Sequence, residues 1–214
     1  MCSSDLAKHL PRPLLHEISV AGETIHSVQK ARNIGTMFDS HFCFNDHITD
    51  ICKSSFYHLR NISYIRKYLS ATTSELLVHM FVSSKLDYCN SLLYGLPVST
   101  IKKLQHVQNA AARLVTLTKK HDHITPVLFN LHWLPVNQRI IFKILLITYK
   151  ALNNLAPSYI CDLLTSYTPS RQLRSSSKHL LVSPSYNLKT YGARSFSVAA
   201  PSSWNALPCE IRNA

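Results

Sequence analysis

The sequence predicts an α+β protein that is mainly α, with a small antiparallel β-sheet at its N-terminus. Between residues 46 and 153, apolar residues recur every three or four positions, which is typical of amphipathic helices. Alternation of polar and apolar residues is confined to the first 40 positions. Glycine occurs only 4 times in 214 residues, which argues against both a turn-rich β-sandwich and a glycine-rich phosphate loop.

The N-terminal strands are predicted by short runs. HEISV at 16–20 and the extended pattern at 24–28 flank the turn Ala21-Gly22-Glu23, so they predict a β-hairpin. NIGTMFD at 33–39 predicts a third strand. Because three short strands bury little surface alone, they are expected to pack on helices or to belong to a larger sheet.

The remaining chain is predicted to be helical. The first helix, which has Phe56 among its apolar residues, begins near Asn45 or Asp46, and the second follows the capping sequence TTSE at 72–75. A short strand and a final helix are expected near the C-terminus. The predicted helices cover about 46–69, 75–93, 100–117, 125–130, 135–153 and 157–167.

Positive charge is concentrated in the second half of the chain. The net charge of the whole chain is +12, yet residues 1–100 carry 9 basic and 8 acidic side chains. Residues 101–214 carry 14 basic side chains and 3 acidic ones. Such a segment attracts polyanions, with nucleic acid as the first interpretation and an anionic membrane as the second. With so few acids in this half, its charges are expected to lack internal partners.

Helical periodicity gathers these charges into stripes. On the third helix, Lys102, His106, Arg113 and Lys120 fall on one face, opposite a core face with Leu104, Val107, Ala111, Leu114 and Val115. On the fifth helix, a second stripe contains Arg139, Lys143 and Lys150. A Ser/Arg-rich loop at 168–178 adds Arg171 and Arg174. Some tyrosines are suited either to stacking on bases or to filling the core: Tyr149, Tyr167, Tyr186 and Tyr191.

Patterns for catalysis or metal binding are weak. Asp46 and Asp50 share a helix face, but acids in a first helical turn usually interact with the helix dipole. Cys43, His47, Cys52 and His58 match no zinc-finger spacing, and the HxH of residues 121–123 is interpreted as part of a loop. Nothing marks Cys89 as an activated nucleophile. No metal or cofactor is expected for this chain.

The six cysteines form no CxxC pair and suggest no disulfide framework. The N-terminus does not resemble a signal peptide. The most apolar run, residues 140–152, contains Lys143 and Lys150 and is too short to span a bilayer. The sequence therefore predicts an intracellular protein, cytoplasmic or nuclear, that is neither secreted nor inserted in a membrane.

Several segments, spread over about residues 16–212, resemble the region that follows the catalytic palm in reverse transcriptases of LINE-type (non-LTR, jockey-like) retrotransposons. They are NIGTMFDSHFCFNDHI (33–48), KLDYCNSLLYGLP (85–97), LQHVQNAAARLV (104–115), HITPVLFNLHWLPV (123–136), RIIFKILLITYKALNNLAPSYICDLL (139–164) and APSSWNALP (200–208). The order of the segments is the same in the family.

The resemblance implies three regions: a palm remnant with a β-hairpin and a third strand at 14–40, a helical thumb-like bundle at 45–118, and a basic helical C-terminal region at 119–212. The turn near 31–37 resembles the element that grips the primer strand. The family's aspartates, which bind two Mg²⁺ ions for nucleotidyl transfer, lie upstream of the hairpin and have no counterpart here. By likeness, the phosphate contacts are Lys102, Lys103, His106, Arg113, Lys119 and Lys120.

These observations lead to two functional hypotheses. The first is a non-catalytic fragment of a retrotransposon RNA-directed DNA polymerase that binds template–primer RNA, DNA or their hybrid through phosphates, with the missing palm and fingers as a further partner. The second is a co-opted helical module for protein–protein interaction. A self-sufficient enzyme requires convergence of at least two carboxylates among Asp39, Asp46, Asp50 and Asp87.

Overall fold

Two separate β-hairpins form the N-terminal part of the computed structural model, which describes residues 17–169, 171 and 179–212. Each hairpin is antiparallel and has a two-residue loop, Ala21-Gly22 or Ile34-Gly35, in which both residues have positive φ. This geometry matches the twist of the paired strands. The strands are β1 (Glu17–Val20), β2 (Glu23–His26), β3 (Lys30–Asn33) and β4 (Thr36–Asp39).

The prediction of one strand over 33–39 is wrong in its extent. The chain reverses at Ile34, whose φ is 44°, and Gly35, so the predicted strand contains the turn of the second hairpin. An alternation pattern cannot detect this turn because Ile34 is a β-branched residue that rarely adopts positive φ. The Tyr88 hydroxyl donates to the Ile34 carbonyl at 2.5 Å and holds the turn against the helices.

Helices make up most of the rest of the described chain, so the predicted mainly α class with a small antiparallel β part is confirmed. Most of the predicted helices occur, with ends shifted by a few residues. Short 3₁₀ turns cover Arg66–Tyr68, Asn90–Leu93 and Gly192–Arg194. The helices are α1 (Asn45–Ile65), α2 (Ala71–Val78), α3 (Ser84–Asp87), α4 (Val98–Thr116), α5 (Ile124–Asn130), α6 (Val136–Leu152), α7 (Ser158–Cys161), α8 (Phe196–Asn205) and α9 (Cys209–Arg212).

The second predicted helix is interrupted. Its N-cap is Ser70 rather than the TTSE sequence, because the Ser70 hydroxyl accepts a hydrogen bond from the Thr73 N–H at 3.0 Å. A π-helical segment, His79–Ser83, separates α2 from α3, and Cys89, with φ of 50°, ends the run. In the C-terminal region, α7 is much shorter than predicted, and the expected strand is reduced to a single bridge between Ser166 and Leu181.

One hydrophobic core joins α1–α6 and crosses the boundary expected near residue 118. Buried residues of α1 and α4, such as Ile48 and Leu104, belong to the same cluster as Trp133 and Ile140. A smaller cluster around Ile144 joins α6 to α8. The half-buried Arg194 connects this C-terminal part to the rest, donating to the carbonyls of Phe42, Leu92 and Tyr94 at 2.7–3.0 Å. These contacts hold α1 and α4 in place.

Candidate nucleic-acid interface

The two longest helices, α1 and α4, pack side by side and leave an open groove of about 790 Å³ between them. Its basic side chains come from both helices: Lys53 and Arg60 from α1, Lys103 and His106 from α4. All four are exposed. We call this surface the α1/α4 groove, defined by Thr49, Cys52, Lys53, Phe56, Tyr57, Arg60, Lys103 and His106.

Helical spacing explains why these side chains meet. On α1, Lys53 and Arg60 are seven residues apart and the aromatic residues Phe56 and Tyr57 lie between them, so all four share one side of the helix. The opposite side of α1 is anchored by Ile48, Leu59 and Ile62, which are buried. On α4, Lys103 and His106 are three residues apart and project toward α1.

No carboxylate lines the α1/α4 groove. The ion pairs found among residues 17–169, 171 and 179–212 involve none of its four basic side chains. Burial raises the pKa of the Cys52 thiol, and the positive charge of Lys103 partly opposes this rise. The thiol is therefore protonated at neutral pH and adds no negative charge. The groove keeps its positive charge facing solvent.

The two-faced character of α4 agrees with the sequence prediction. Lys102 and His106 are exposed, whereas Leu104, Val107 and Ala111 are buried. Leu114, expected on the core face, is only half-buried and lines a shallow extension of the groove beside Arg60. Lys102 is not among the residues that line the groove.

At the C-terminal end of α4, Arg113 has a structural role. Its Nε donates to the Lys119 carbonyl at 3.4 Å and its Nη2 to the Asp122 carbonyl at 3.2 Å. The Lys119 N–H in turn donates to the Asp122 carboxylate at 3.1 Å. Arg113 thus fixes the turn that follows α4, while the side chains of Lys119 and Lys120 are exposed on this turn.

Arg139 departs from the expectation that charges of the second half lack internal partners. Its Nη1 lies 2.7 Å from the Asp87 carboxylate of α3, and its Nε donates to the Leu134 carbonyl. Asp87, an acid from the first half of the chain, therefore neutralises the Arg139 charge. The sequence did not predict this pair because the two residues are far apart along the chain. On the same helix Lys143 is half-buried and Lys150 is exposed, and neither lines the α1/α4 groove.

The Ser/Arg loop is described only in part. Arg171 is exposed, whereas Arg174 lies outside the described residues. The aromatic residues suggested for base stacking are exposed, but none lines the α1/α4 groove: Tyr149, Tyr167, Tyr186 and Tyr191. Sequence reasoning missed Lys53, Tyr57 and Arg60, and it assigned Phe56 to the core. The spacing of basic and aromatic residues on α1 could have indicated this surface. It was overlooked because the net charge of the first half of the chain is near zero.

Among the candidate carboxylates, Asp39 and Asp46 both lie near Lys30, and Asp87 lies against α6 instead. Asp46 forms an ion pair with Lys30, and Asp87 one with Arg139. Burial favours the neutral form of Asp39, but the N–H groups of Cys43, Phe44 and His41 donate to its carboxylate and lower its pKa. In the part of the chain that the structure describes, no group of three or more His, Cys, Asp or Glu residues is arranged to hold a metal ion. These residues do not fit a two-Mg²⁺ site.

No helix among the described residues is both long and apolar enough to cross a membrane. None of the protein-family models compared with the chain matches it, and no significantly similar curated protein or solved structure is found.

Proposed function

We propose that this chain is a non-catalytic fragment of a LINE-type retrotransposon RNA-directed DNA polymerase that binds nucleic acid through its phosphates. The observation that carries the binding proposal is the α1/α4 groove. It presents three permanently charged side chains and a histidine to solvent, with no carboxylate among its lining residues. Contacts of this kind attract the phosphate backbone without regard to base sequence.

The polymerase origin depends on the resemblance of six ordered segments. In that interpretation the two hairpins correspond to the end of the palm and α1–α4 to the thumb, and the palm and fingers of the polymerase are a further partner. The described residues present no carboxylate cluster for Mg²⁺. In this proposal the chain holds template–primer nucleic acid and takes part in no chemical step.

A salt titration tests the proposal. Fluorescence anisotropy of a labelled 20-nucleotide RNA should report binding at 50 mM salt. With three phosphate contacts, from Lys53, Arg60 and Lys103, affinity should fall roughly 20-fold between 50 and 200 mM salt. Affinity that does not depend on salt, or no binding at 50 mM, would contradict the proposal.

Charge-neutralising variants locate the interface. The double variant Lys53→Gln/Lys103→Gln should reduce the slope of log affinity against log salt by about 1.4, because each single-strand phosphate contact contributes about 0.7. The double control variant Lys67→Gln/Lys189→Gln removes the same charge at exposed sites outside the groove. If this control variant weakens binding as much as the groove variant, the interaction is not localised in the α1/α4 groove.

A second candidate, a protein-interaction module, is favoured by the first hairpin. Cross-strand pairing places Ile18 beside Ile25, and Val20 lies two residues along the same face. These side chains are 53–56% exposed, so the face has no partner within the described chain. A photo-crosslinking residue at position 25 should capture a protein partner that the Ile18→Lys variant loses. A capture pattern unchanged by Ile18→Lys would count against this candidate.

A further inference from the structure

Two aromatic rings lie exposed in the middle of the basic groove. Phe56 is 43% exposed and Tyr57 is 62% exposed, although both are on a helix whose opposite side reaches the core. Exposed apolar surface of this kind is unfavourable in water and often marks a binding surface when it is contiguous. Here it is contiguous with Cys52 on the floor of the α1/α4 groove.

Basic side chains lie beside these rings on both helices. Along α1, Lys53 precedes Phe56 by three residues and Arg60 follows it by four, so the two cations are about 10 Å apart along the helix axis. Across the groove, Lys103 and His106 of α4 face the rings. The surface therefore offers apolar, flat side chains between positive charges, and a ligand that matches it must carry both flat apolar groups and negative charge.

We infer that the α1/α4 groove binds single-stranded nucleic acid, with its phosphates on Lys53, Arg60 and Lys103 and its unpaired bases stacked on Phe56 and Tyr57. This inference rests on the proposed function and specifies its ligand. Base–aromatic stacking requires bases whose faces are free, and it tolerates any sequence because every base has a π-face. A duplex keeps its base faces covered by neighbouring pairs, so it would contact the cations and leave both rings in water.

An acidic protein segment is the competing occupant. Aspartate and glutamate side chains would satisfy the cations, but they carry no flat apolar surface for Phe56 and Tyr57. Nucleotides carry a phosphate and a flat base on every unit, which matches the interleaving of cations and rings along α1. The observed arrangement therefore favours a single strand over an acidic peptide.

The test compares a single strand with a duplex on the full chain. Anisotropy is measured at 100 mM salt with labelled 12-nucleotide oligouridine and with a labelled 12-base-pair RNA duplex. Phe56→Leu and Tyr57→Leu keep apolar bulk and remove the ring, so each should weaken oligouridine binding about 5-fold or more. Duplex binding should change less than about 2-fold, since phosphate contacts alone support it.

Matched controls separate stacking from folding. Phe142→Leu on α6 and Tyr159→Leu on α7 change aromatic residues outside the groove that are at least as exposed as Phe56 and Tyr57, and they should leave oligouridine affinity unaltered. Tyr57→Phe retains the ring and should bind like the unchanged chain even if Tyr57→Leu is destabilised. Poly-L-glutamate of matched charge should compete poorly with oligouridine.

Each other outcome overturns the inference in a distinguishable way. If salt-dependent binding persists but is insensitive to the Phe56 and Tyr57 variants, single-strand stacking is wrong and the proposed phosphate binding stands. If poly-L-glutamate competes as well as oligouridine, the occupant is an acidic protein. If neither nucleic acid binds at 50 mM salt, both the inference and the proposed function fail.

Discussion

At the scale of single residues, four arginines have a different role from the lysines around the end of α4. Arg66, Arg113 and Arg194 donate to backbone carbonyls, and Arg139 pairs with Asp87. The lysines of α4 and of the turn after it are exposed. The guanidinium group has five donors in a planar fork, so it suits several carbonyls at once, whereas the strongly hydrated ammonium group favours water. A carbonyl partner leaves the arginine charge in place, so only Arg139 is neutralised among these four.

Arg66 provides the first prediction at this scale. It is buried, and its guanidinium donates to the carbonyls of Leu69, Leu114 and Val115 at 2.7–3.0 Å. The last two are among the final carbonyls of α4, which lack helical partners. Arg66→Met should lower the free energy of unfolding by about 2–4 kcal/mol, measured by urea denaturation, because charged hydrogen bonds to buried groups are lost.

Two comparisons test the cause of this loss. Arg66→Lys keeps the charge but cannot reach three carbonyls, so it should recover only part of the stability. Arg60→Met, in the exposed part of α1, should change stability by less than about 0.5 kcal/mol. Equal stability of Arg66→Met and the unchanged chain would show that these bonds do not stabilise α4.

His47 gives a pH-dependent prediction. Burial lowers the pKa of the His47 ring. The negative charge of Asp50 opposes this shift, and the positive charge of Arg32 lowers the pKa further. The Met37 N–H donates to the ring Nδ1 at 3.5 Å. The ordinary pKa of histidine, about 6.5, applies to the unfolded chain. Because the folded chain disfavours the protonated ring, His47 binds more protons in the unfolded chain than in the folded one when the pH falls below this value. Stability contributed by neutral His47 is therefore present above pH 6.5 and is lost as pH falls toward the folded pKa.

Urea unfolding between pH 7.5 and 5 measures this effect. The free energy of unfolding should decline as pH is lowered, and His47→Gln should make the decline shallower. His58, whose pKa is lowered by burial and by Lys85, contributes in the same direction, so His47→Gln should not abolish the decline. An identical pH profile for the His47→Gln variant would contradict the assignment.

At the scale of secondary-structure elements, the start of α2 depends on one serine. The Ser70 hydroxyl accepts from the Thr73 N–H at 3.0 Å, so Ser70→Ala should cost about 1 kcal/mol of unfolding free energy. Thr72→Ala changes an exposed position inside the first turn and should alter stability by less than about 0.5 kcal/mol. Chemical denaturation of both variants decides between Ser70 and the sequence-predicted cap.

Prediction of the secondary-structure elements succeeded where the apolar spacing is regular over many residues. It failed where a turn or an irregular helical segment interrupts an element. The regular apolar spacing of α1, α4 and α6 defined these helices to within a few residues. The turn at Ile34 and the π segment at 79–83 depend on tertiary packing, which a single sequence does not encode locally. The same limit affected the candidate site, because the Asp87–Arg139 pair and the α1/α4 groove join residues about 50 positions apart.

At the scale of the whole molecule, the described chain consists of a helical body with a shared core and a first hairpin that is exposed throughout. The second hairpin packs on α1 through β4, where Thr36 is buried and Phe38 meets Phe44 edge to face at 5.5 Å. Every residue of β1 and β2 is exposed. A two-stranded hairpin without a covered face is marginally stable in water.

Removal of the first hairpin tests this division. A chain from which residues 17–27 are deleted should keep the thermal midpoint of the full chain to within about 2 °C, because β1 and β2 bury little apolar surface against the body. Hydrogen exchange of the full chain should likewise show slow amides in α1 and α4 and fast ones in β1 and β2. A fall in the midpoint of 5 °C or more would show that the hairpin stabilises the helical body. Retention of the midpoint, together with loss of a protein that co-purifies with the full chain, would instead assign the apolar face of Ile18, Val20 and Ile25 to binding.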